Sequence, residues 1–369
     1  MATIVEVIKV LEQLAPVPYQ EDYDNSGLIV GNISTEVKSI LVCLDTTEEV
    51  IAEAIQLGAN LIIAHHPILF KGLKKITGKT YVERVLIQAI QNDIAIYAIH
   101  TNLDNVLHSG VCSKMGEKLG LLNTQILSPK KGILNKIITY VPTEHIDIVQ
   151  QAMFEAGAGK IGNYDYCSFI QAGTGTFRAN EKANPSFGKK GDFHREPELK
   201  LELICPDPNI SQVISAMKKA HPYEEVAYDI IKLENVNQEI GSGLIGELPE
   251  PASKKEFLHR VATLFKSDII RYTEVKELKE IKKVALCGGA GSFLVSRAIN
   301  QKADVFISAD FKYHEFFDAE NKLMILDIGH YESEQYTIDL LYDVLSQNFS
   351  IFAIHKTKVN TNPVQYFHL

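Results

Sequence analysis

Residues 61–70 read LIIAHHPILF, an apolar segment interrupted by two adjacent histidines and a proline. The apolar run up to Ala64 predicts a buried strand. His65 and His66 follow it side by side, and Pro67 then turns the chain. Because neighbouring residues on a strand point to opposite faces, the two imidazoles of a regular strand would diverge. The carboxyl end of a parallel strand is where α/β sheets place their functional groups, so both histidines are candidate site residues.

Predicted strands and helices alternate on both sides of this stretch. Such alternation predicts a parallel sheet covered by helices, and therefore the α/β class. The predicted strands are ILVCLD (40–45), LIIAHH (61–66), IAIYAIH (94–100), VALCGG (284–289), VFISAD (305–310), LMILDIGH (323–330) and IFAIH (351–355). The predicted helices are Thr3–Leu14, one that begins at Thr46 or Thr47, Tyr81–Gln91, Ser292–Gln301, Tyr313–Asn321 and Ser333–Gln347.

The two ends of the chain resemble each other in sequence. SGLI occurs at 26–29 and again at 242–245, and AIQLGANLIIAHH (54–66) parallels AINQKADVFISAD (298–310). A diverged internal repeat explains this pairing. We therefore predict two βαβ-type halves, residues 1–128 and 239–369, that fold together into one globule.

The middle of the chain, residues 129–238, has a different pattern. Its apolar and amphipathic segments follow the order strand, helix, strand, strand, helix, strand, with a charged and glycine-rich loop between the second and third strands. This is the βαββαβ order of ferredoxin-like α+β domains. The sequence thus predicts an inserted ferredoxin-like domain between the two halves.

The composition is that of an ordinary globular protein. Hydrophobic residues make up 46% of the 369 residues and charged residues 22%, so the chain has enough apolar side chains for a sizeable core. The net charge of −9 argues against a general nucleic-acid binder, because such proteins neutralise phosphates with Lys and Arg.

The cysteines and the N-terminus indicate the cellular compartment. The cysteines are scattered and form no CxxC pair, which argues against a disulfide framework and against a zinc ribbon. The N-terminal MATIVEVIKVLEQLAP lacks the unbroken apolar core of a signal peptide, and no apolar stretch is long enough to cross a membrane. We therefore predict a cytoplasmic protein. The five cysteines are Cys43, Cys112, Cys167, Cys205 and Cys287.

Two further segments carry polar side chains at predicted strand ends. Asp104 lies in the loop TNLDN, after the strand that ends at His100. GHYESE (329–334) places His330 and Glu334 four residues apart, a spacing that puts both on one face if a helix begins there. Each group also has a purely structural interpretation: the histidines as polar caps, the aspartate as a turn residue, and the glutamate as a first-turn acid that stabilises the helix dipole.

Together, these strand ends supply nitrogen and oxygen ligands without thiolate. Such a set suits Zn²⁺, Mn²⁺ or Fe²⁺. Five ligands are too many for one tetrahedral hydrolytic metal and about right for two metals that share a carboxylate. Two imidazoles that diverge from one strand end can then each bind a different metal. The candidate ligands are His65, His66, Asp104, His330 and Glu334.

Three more polar residues, His100, Asp310 and His314, lie at equivalent strand ends of the repeat. They are candidates for acid–base groups or for groups that hold the ligands, and the alternative is that they are polar caps. GGAGS (288–292) lies between a strand and a helix, where its amides could hold a phosphate, but a plain tight turn is the favoured interpretation. GSGLIG (241–246) matches GxGxxG, but no helix follows it, so it does not predict a dinucleotide site.

The motifs DNSGLIVGN, LDTT, AHHPILFKGLKKI, AIHTNLDN, SADFKYHE and GHYESE resemble those of the NIF-three-like family, also called GTP cyclohydrolase 1 type 2 homologues. YVPTEHIDIVQQAMFEAGAGKIGNYDYCSF, GTGTFR and AHPYEEVAYDI resemble the inserted domain of its longer bacterial members. The resemblance covers nearly the whole chain. It implies a toroidal homohexamer and a dinuclear metal site, in which His65 is paired with Asp104, His66 is paired with His330, and Glu334 touches both metals.

Two classes of function fit these residues. The first is a metal-dependent hydrolase, in which a metal-activated water attacks a nucleotide, as the resemblance to GTP cyclohydrolase 1 type 2 implies, or a phosphoester. The second is a non-enzymatic metal-binding scaffold or regulator whose inserted domain binds a ligand or a protein partner. Zinc is the predicted metal, with manganese or iron as alternatives, and the predicted ligand is a small molecule that contains phosphate.

Overall fold

A computed structural model describes residues 2–367 of the chain and places His65 and His66 directly after a buried strand, as predicted. The chain divides into two compact units, and one of them is the continuous segment Lys130–Gln238. The residues on either side of that segment form the other unit, which we call the flanking unit. Among residues 2–367, no helix is both long enough and apolar enough to span a bilayer.

The secondary structure is a mixture of helices and strands in several sheets. The helices are α1 (Ile4–Leu14), α2 (Glu48–Leu57), α3 (Tyr81–Gln91), α4 (Thr101–Asp104), α5 (Val111–Leu119), α6 (Ile146–Glu155), α7 (Ile210–Ala220), α8 (Lys254–Phe265), α9 (Val295–Asn300), α10 (His330–Glu334) and α11 (Thr337–Asn348). The strands are β1 (Gly27–Val30), β2 (Ser39–Cys43), β3 (Leu61–Ala64), β4 (Ala95–Ala98), β5 (Leu122–Lys130), β6 (Leu134–Pro142), β7 (Phe169–Arg178), β8 (Phe193–Pro206), β9 (Tyr228–Leu233), β10 (Asn237–Ser253), β11 (Arg271–Tyr272), β12 (Glu280–Ala290), β13 (Val305–Ala309), β14 (Met324–Asp327) and β15 (Ala353–Lys356).

The first sheet of the flanking unit has the order β1-β4-β3-β2-β15. Strands β2, β3 and β4 are parallel neighbours and are fully buried. Helix α2 illustrates why the chain folds this way locally, because Thr47 caps its first turn and Gly58 ends it in a left-handed conformation. Its buried residues Val50, Ile51 and Ala54 recur at helical spacing and pack into the core of this sheet.

The second sheet has the order β11-β14-β13-β12-β10-β5, and β12, β13 and β14 are its parallel core. The two sheets exchange an edge strand. Strand β5 comes from the N-terminal half of the chain but lies in the second sheet, whereas β15 comes from the C-terminal half and lies in the first. The halves of the predicted repeat are therefore interlocked.

Three predicted helices differ in the structure. Tyr313–Ala319 is a 3₁₀ helix, and α9 is preceded by a 3₁₀ turn at Ser292–Leu294. The predicted helix Ser333–Gln347 is two helices: α10 begins three residues earlier, and α11 begins after a break. The early start puts His330 in the first turn of α10.

The unit Lys130–Gln238 has the element order β6-α6-β7-β8-α7-β9. Its four strands form one antiparallel sheet in the order β7-β8-β6-β9. Alternate residues of β6 and β8, such as Ile137 and Leu201, pack with Val149 of α6 and Val213 of α7 in one apolar core. This core is separate from those of the flanking unit.

Candidate metal centre

Four of the five predicted ligands line one cleft of about 940 Å³ in the flanking unit, and the buried His65 lies beside them. His66 follows β3, and Asp104 ends the short helix α4 that follows β4. His330 and Glu334 begin and end α10, which follows β14 of the second sheet. The carboxyl ends of parallel strands from both sheets thus deliver the polar side chains, as expected for an α/β fold.

His65 is fully buried and presents one ring nitrogen to the centre of the cluster. Its Nδ1 donates a hydrogen bond to the carbonyl oxygen of Ile99 at 2.8 Å, which leaves Nε2 as the atom with a free lone pair. Nε2 lies 3.6 Å from Asp104 Oδ1 and 3.9 Å from Glu334 Oε2, too far for a hydrogen bond. His65 is therefore oriented as a ligand without having a protein partner at its ligating atom.

The expected divergence of His66 from His65 is not seen: strand β3 ends at Ala64, and the two ring centroids lie only 4.9 Å apart. His66 nevertheless has hydrogen-bonding partners of its own. Its Nδ1 lies 2.7 Å from Asp45 Oδ1, and its Nε2 lies 2.9 Å from Glu334 Oε2. The same Nε2 is 3.4 Å from His330 Nε2. A carboxylate behind one ring nitrogen fixes the imidazole orientation and raises its basicity at the other nitrogen.

His330 repeats this arrangement from the opposite sheet. Its Nδ1 lies 2.7 Å from Asp310 Oδ2, and its Nε2 lies 3.1 Å from Glu334 Oε2. One oxygen of Glu334 thus faces the Nε2 atoms of three histidines: His65, His66 and His330. Glu334 therefore lies at the centre of the cluster.

Three overlapping groups of side chains have ligand atoms within 4.8 Å of one another. Two buried polar atoms without a hydrogen-bond partner indicate whether a metal ion would fit there. His65 Nε2 and Asp104 Oδ1 are buried and have no hydrogen-bond partner, and an unpaired polar atom in the interior is costly. A divalent cation would satisfy both atoms, so the residues fit a metal. The groups are His65 with Asp104 and Glu334, His66 with His330 and Glu334, and His65 with His66 and His100.

The electrostatics of the cluster follow from burial and from the shared carboxylate. Burial lowers the pKa of His65 to about 3, so its ligating nitrogen carries no proton near neutral pH. Burial also disfavours the charged form of His66, but hydrogen bonds to Asp45 and Glu334 outweigh it and raise the pKa to about 10. Burial and the charge of Glu334 raise the pKa of Asp104 well above its usual range. A divalent cation would replace the protons held on these groups, so metal uptake competes with protons.

The segment GGAGS (288–292) is not the tight turn expected from the sequence: Gly288, Gly289 and Ala290 form the irregular end of strand β12. Gly289 has φ of +60°, and a Cβ built there would lie 2.5 Å from Glu334 Oε1. Its amide donates to Ser333 Oγ at 3.0 Å, and its carbonyl accepts from Ser308 Oγ at 2.8 Å. This strand end is therefore fixed against the carboxylate of Glu334, where a larger residue would not fit.

The three tentative site residues have different locations. His100 lines the cleft, and its ring centroid is 5.3 Å from that of His65. Asp310 lies behind His330, where it holds the imidazole. The structure does not bring His314 to the cluster: it lies on the 3₁₀ helix and contacts the rings of Tyr313 and Phe317.

Two carboxylates that hold histidines of the site were not predicted from the sequence. Asp45 is the last residue of the predicted strand ILVCLD (40–45), so the signal that selected Asp104 could have found it. Asp24 belongs to the turn before β1 and lies 2.7 Å from His100 Nδ1. No periodic pattern indicates that this turn lies against a strand end far along the chain.

Asp24 is expected to stabilise the fold in a pH-dependent way. Burial works to raise its pKa, but hydrogen bonds from His100, Thr101 and the amide of Asn25 outweigh it and hold the pKa well below its usual range. The stabilisation is therefore present above the unfolded-state pKa and is lost as the pH falls through the native one. Asp24→Asn should cost about 2–4 kcal/mol at pH 7, and the loss should shrink below about pH 4.

Urea unfolding of the metal-free protein across this pH range measures the effect. Asp22→Asn is the matched control, because Asp22 is exposed. A loss for Asp24→Asn no greater than that of the control, or one that grows towards low pH, would contradict the expectation.

Comparison with known proteins finds related sequences and structures for nearly the whole chain. The family model described as Duf34/NIF3 (NGG1p interacting factor 3) matches residues 2–363. A protein of Halalkalibacterium halodurans named GTP cyclohydrolase 1 type 2 homolog is 41% identical over 326 residues, which cover 88% of this chain and 87% of the relative. The Bacillus subtilis protein of the same name is 38% identical over 332 residues, with the same two coverages.

A solved structure shows the same architecture. The crystal structure of a Bacillus cereus protein related to NIF3 has a TM-score of 0.84 and 37% sequence identity to this chain, and it covers 99% of both chains. The mixed α/β fold with several sheets is therefore shared with a solved relative.

Proposed function

Because the chain belongs to the Duf34/NIF3 family, we propose that it is a dinuclear metal-dependent hydrolase that acts on a nucleotide or another small phosphate compound. The observation that carries the proposal is the convergence of imidazole and carboxylate atoms around two orphaned polar atoms, His65 Nε2 and Asp104 Oδ1. The relatives' name supports a reaction like that of GTP cyclohydrolase 1 type 2. A phosphoester substrate fits the same ligands.

The proposed metal sites share one carboxylate. His65 and Asp104 would hold one ion, His66 and His330 would hold the other, and Glu334 would serve both. The N/O ligand set favours zinc, with manganese or iron as alternatives. Bound ions would lower the pKa of a coordinated water and neutralise charge on a substrate oxygen.

The surrounding residues orient the cluster and handle protons. Asp45 and Asp310 hold the Nδ1 atoms of His66 and His330, which directs both Nε2 atoms inward. Asp24 holds Nδ1 of His100 in the same way. We assign to His100 the exchange of a proton at Nε2, because its ring lines the cleft beside the histidines of the cluster.

Metal content and turnover should rise together. We expect elemental analysis of protein purified without chelator to approach about two divalent ions per chain. Hydrolysis should be screened over nucleotides and phosphoesters, with and without a chelator. A metal content near zero after incubation with Zn²⁺ and Mn²⁺ would refute the site, whereas full loading without turnover on any substrate would favour the scaffold role.

The unit Lys130–Gln238 is proposed to be a ferredoxin-like domain inserted into the flanking unit. Its βαββαβ order and the strand order β7-β8-β6-β9 support this assignment. We also propose the homohexamer implied by the family resemblance. Light scattering should then give about six times the chain mass of 41.2 kDa.

Removal of this unit should leave the metal centre intact. Within the flanking unit, a Cβ on Gly241 would lie 2.2 Å from the Ser128 carbonyl oxygen and 2.8 Å from Pro129 Cα, so the chain leaves and re-enters at one place. A protein in which a short Gly/Ser linker replaces residues 130–238 should stay folded and keep its metal. Insoluble protein, or loss of metal from a folded one, would contradict this expectation.

A further inference from the structure

The loop that follows the two histidines is rich in lysine. Residues 69–80 read LFKGLKKITGKT, and we call this segment the lysine loop. It carries four lysines and no acidic residue in a chain whose net charge is −9. Both of its flanks line the metal cleft, because Ile68 and Phe70 at the start and Tyr81 just after the end contribute to the cleft wall. The loop therefore lies at the mouth of the cleft.

The charge of the lysine loop is not neutralised by neighbouring residues. Its lysines are exposed, and within residues 2–367 none of their ammonium groups forms an ion pair. Glu83, the nearest acid in sequence, binds the loop backbone and hydroxyls, and Glu48 pairs with Arg84. The four lysines are Lys71, Lys74, Lys75 and Lys79.

The backbone of the loop is held at both ends. Asn25 Nδ2 donates to the Leu69 carbonyl at 2.7 Å. Glu83 Oε2 accepts from the amides of Thr77 and Lys79 at 2.7 and 3.2 Å. A backbone anchored in this way keeps the flexible lysine side chains close to the cleft, whose wall includes Phe70 and Tyr81.

Apolar side chains are exposed on the same loop. Phe70 is 52% exposed and Ile76 51%, and the adjoining Tyr81 is 57% exposed. A segment that served only solubility would not leave these groups in water. Cations interleaved with exposed rings are instead typical of surfaces that bind phosphate chains and planar bases.

We propose that the lysine loop binds the outer phosphates of a polyphosphorylated substrate whose reacting part lies at the metal centre. This inference rests on the proposed function. A single phosphate held among the ligands would not need lysines outside the cleft, whereas a chain of two or more phosphates would extend towards them. Lysine is well suited to this task because its ammonium group is a mobile point charge.

The test measures binding and does not require turnover. Metal-loaded protein is titrated with inorganic tripolyphosphate and with inorganic phosphate at two ionic strengths. The variant changes Lys71, Lys74 and Lys75 to Glu, and the control changes the exposed Lys189, Lys190 and Lys255 to Glu, so that both lose the same net charge. Metal content is measured for every sample.

We expect the loop variant to bind tripolyphosphate at least about tenfold more weakly, with unchanged phosphate affinity and metal content. The control should stay within about twofold, because screening weakens distant charges. Equal tripolyphosphate affinity in the loop variant, or an equal loss in the control, would overturn the proposal. A single-stranded oligonucleotide is titrated in the same way, and tighter binding of it than of tripolyphosphate would also overturn the proposal, in favour of a nucleic-acid strand. Failure of hydrolysis is a separate result, because none of these titrations depends on it.

Discussion

Glu334→Gln should empty the candidate metal centre, while His66→Ala should leave about one ion bound. Glu334 Oε2 lies 2.9 Å from His66 Nε2 and 3.1 Å from His330 Nε2, so the variant removes the charge shared by both proposed ions. Loss of a supporting group alone typically weakens metal affinity by about 10–100-fold, and loss of the bridge should exceed about 100-fold. His66 belongs to one proposed site, and its removal leaves His65, Asp104 and Glu334 in place.

Elemental analysis together with thermal melting separates loss of metal from loss of fold. Both metal-free variants should melt cooperatively but below the metal-free parent, because each breaks the buried contact between His66 and Glu334. Only the Glu334 variant should also lose the rise in melting temperature that added metal produces. Asp343→Asn on the outer part of α11 is a control for removal of a carboxylate. If His66→Ala releases all metal, or Glu334→Gln retains it, the bridged arrangement is wrong.

Gly289→Ala should have the second largest effect, although glycine contributes no ligand. The new methyl group would lie 2.5 Å from Glu334 Oε1 and 3.2 Å from His330 Cε1, at a backbone φ of +60°. Overpacking of this kind costs about 1–3 kcal/mol, and the left-handed conformation adds about 1 kcal/mol. Because the side chains that must move are proposed ligands, metal affinity should fall together with stability.

Gly58→Ala is the matched control for the cost of placing alanine in the left-handed backbone conformation. Gly58 has φ of +66° at the end of α2, and a Cβ there would meet no atom within 4 Å. We expect Gly58→Ala to cost about 1 kcal/mol and to leave metal content unchanged. Full metal content in Gly289→Ala, with a stability loss equal to that of the control, would show that the close approach to Glu334 is unimportant.

The motifs in this sequence identified the family correctly. The apolar strands could also be predicted, because each is a short apolar run that is followed by polar residues. Leu61–Ala64 and Met324–Asp327 are short apolar runs that end in polar residues, and both are buried strands in the structure. The spacing of His330 and Glu334 also indicated a shared face correctly, because α10 begins at His330. Local periodicity decides these features, so they can be predicted without tertiary information.

The carboxylates that hold the histidines were harder to predict, because their contacts join residues that are distant in sequence. Asp24 meets His100 across 76 residues, and Asp45 meets His66 across 21. His314 shows the converse error: its repeat position suggested a role in the site, but the 3₁₀ helix that carries it places it outside the cleft. Sequence position alone does not determine which way a side chain at a strand end will point.

The exchange of edge strands constrains the order in which the sheets of a newly synthesised chain can be completed. Strand β2 has no neighbour on one side until β15, more than 300 residues later, has been made. Until then the growing first sheet exposes an unpaired apolar edge, which is a surface prone to aggregation. Glu334 likewise emerges late, 268 residues after His66. Metal can therefore be captured by the full ligand set only after release of nearly the whole chain, so a truncated product would contain an incomplete sheet and an incomplete centre.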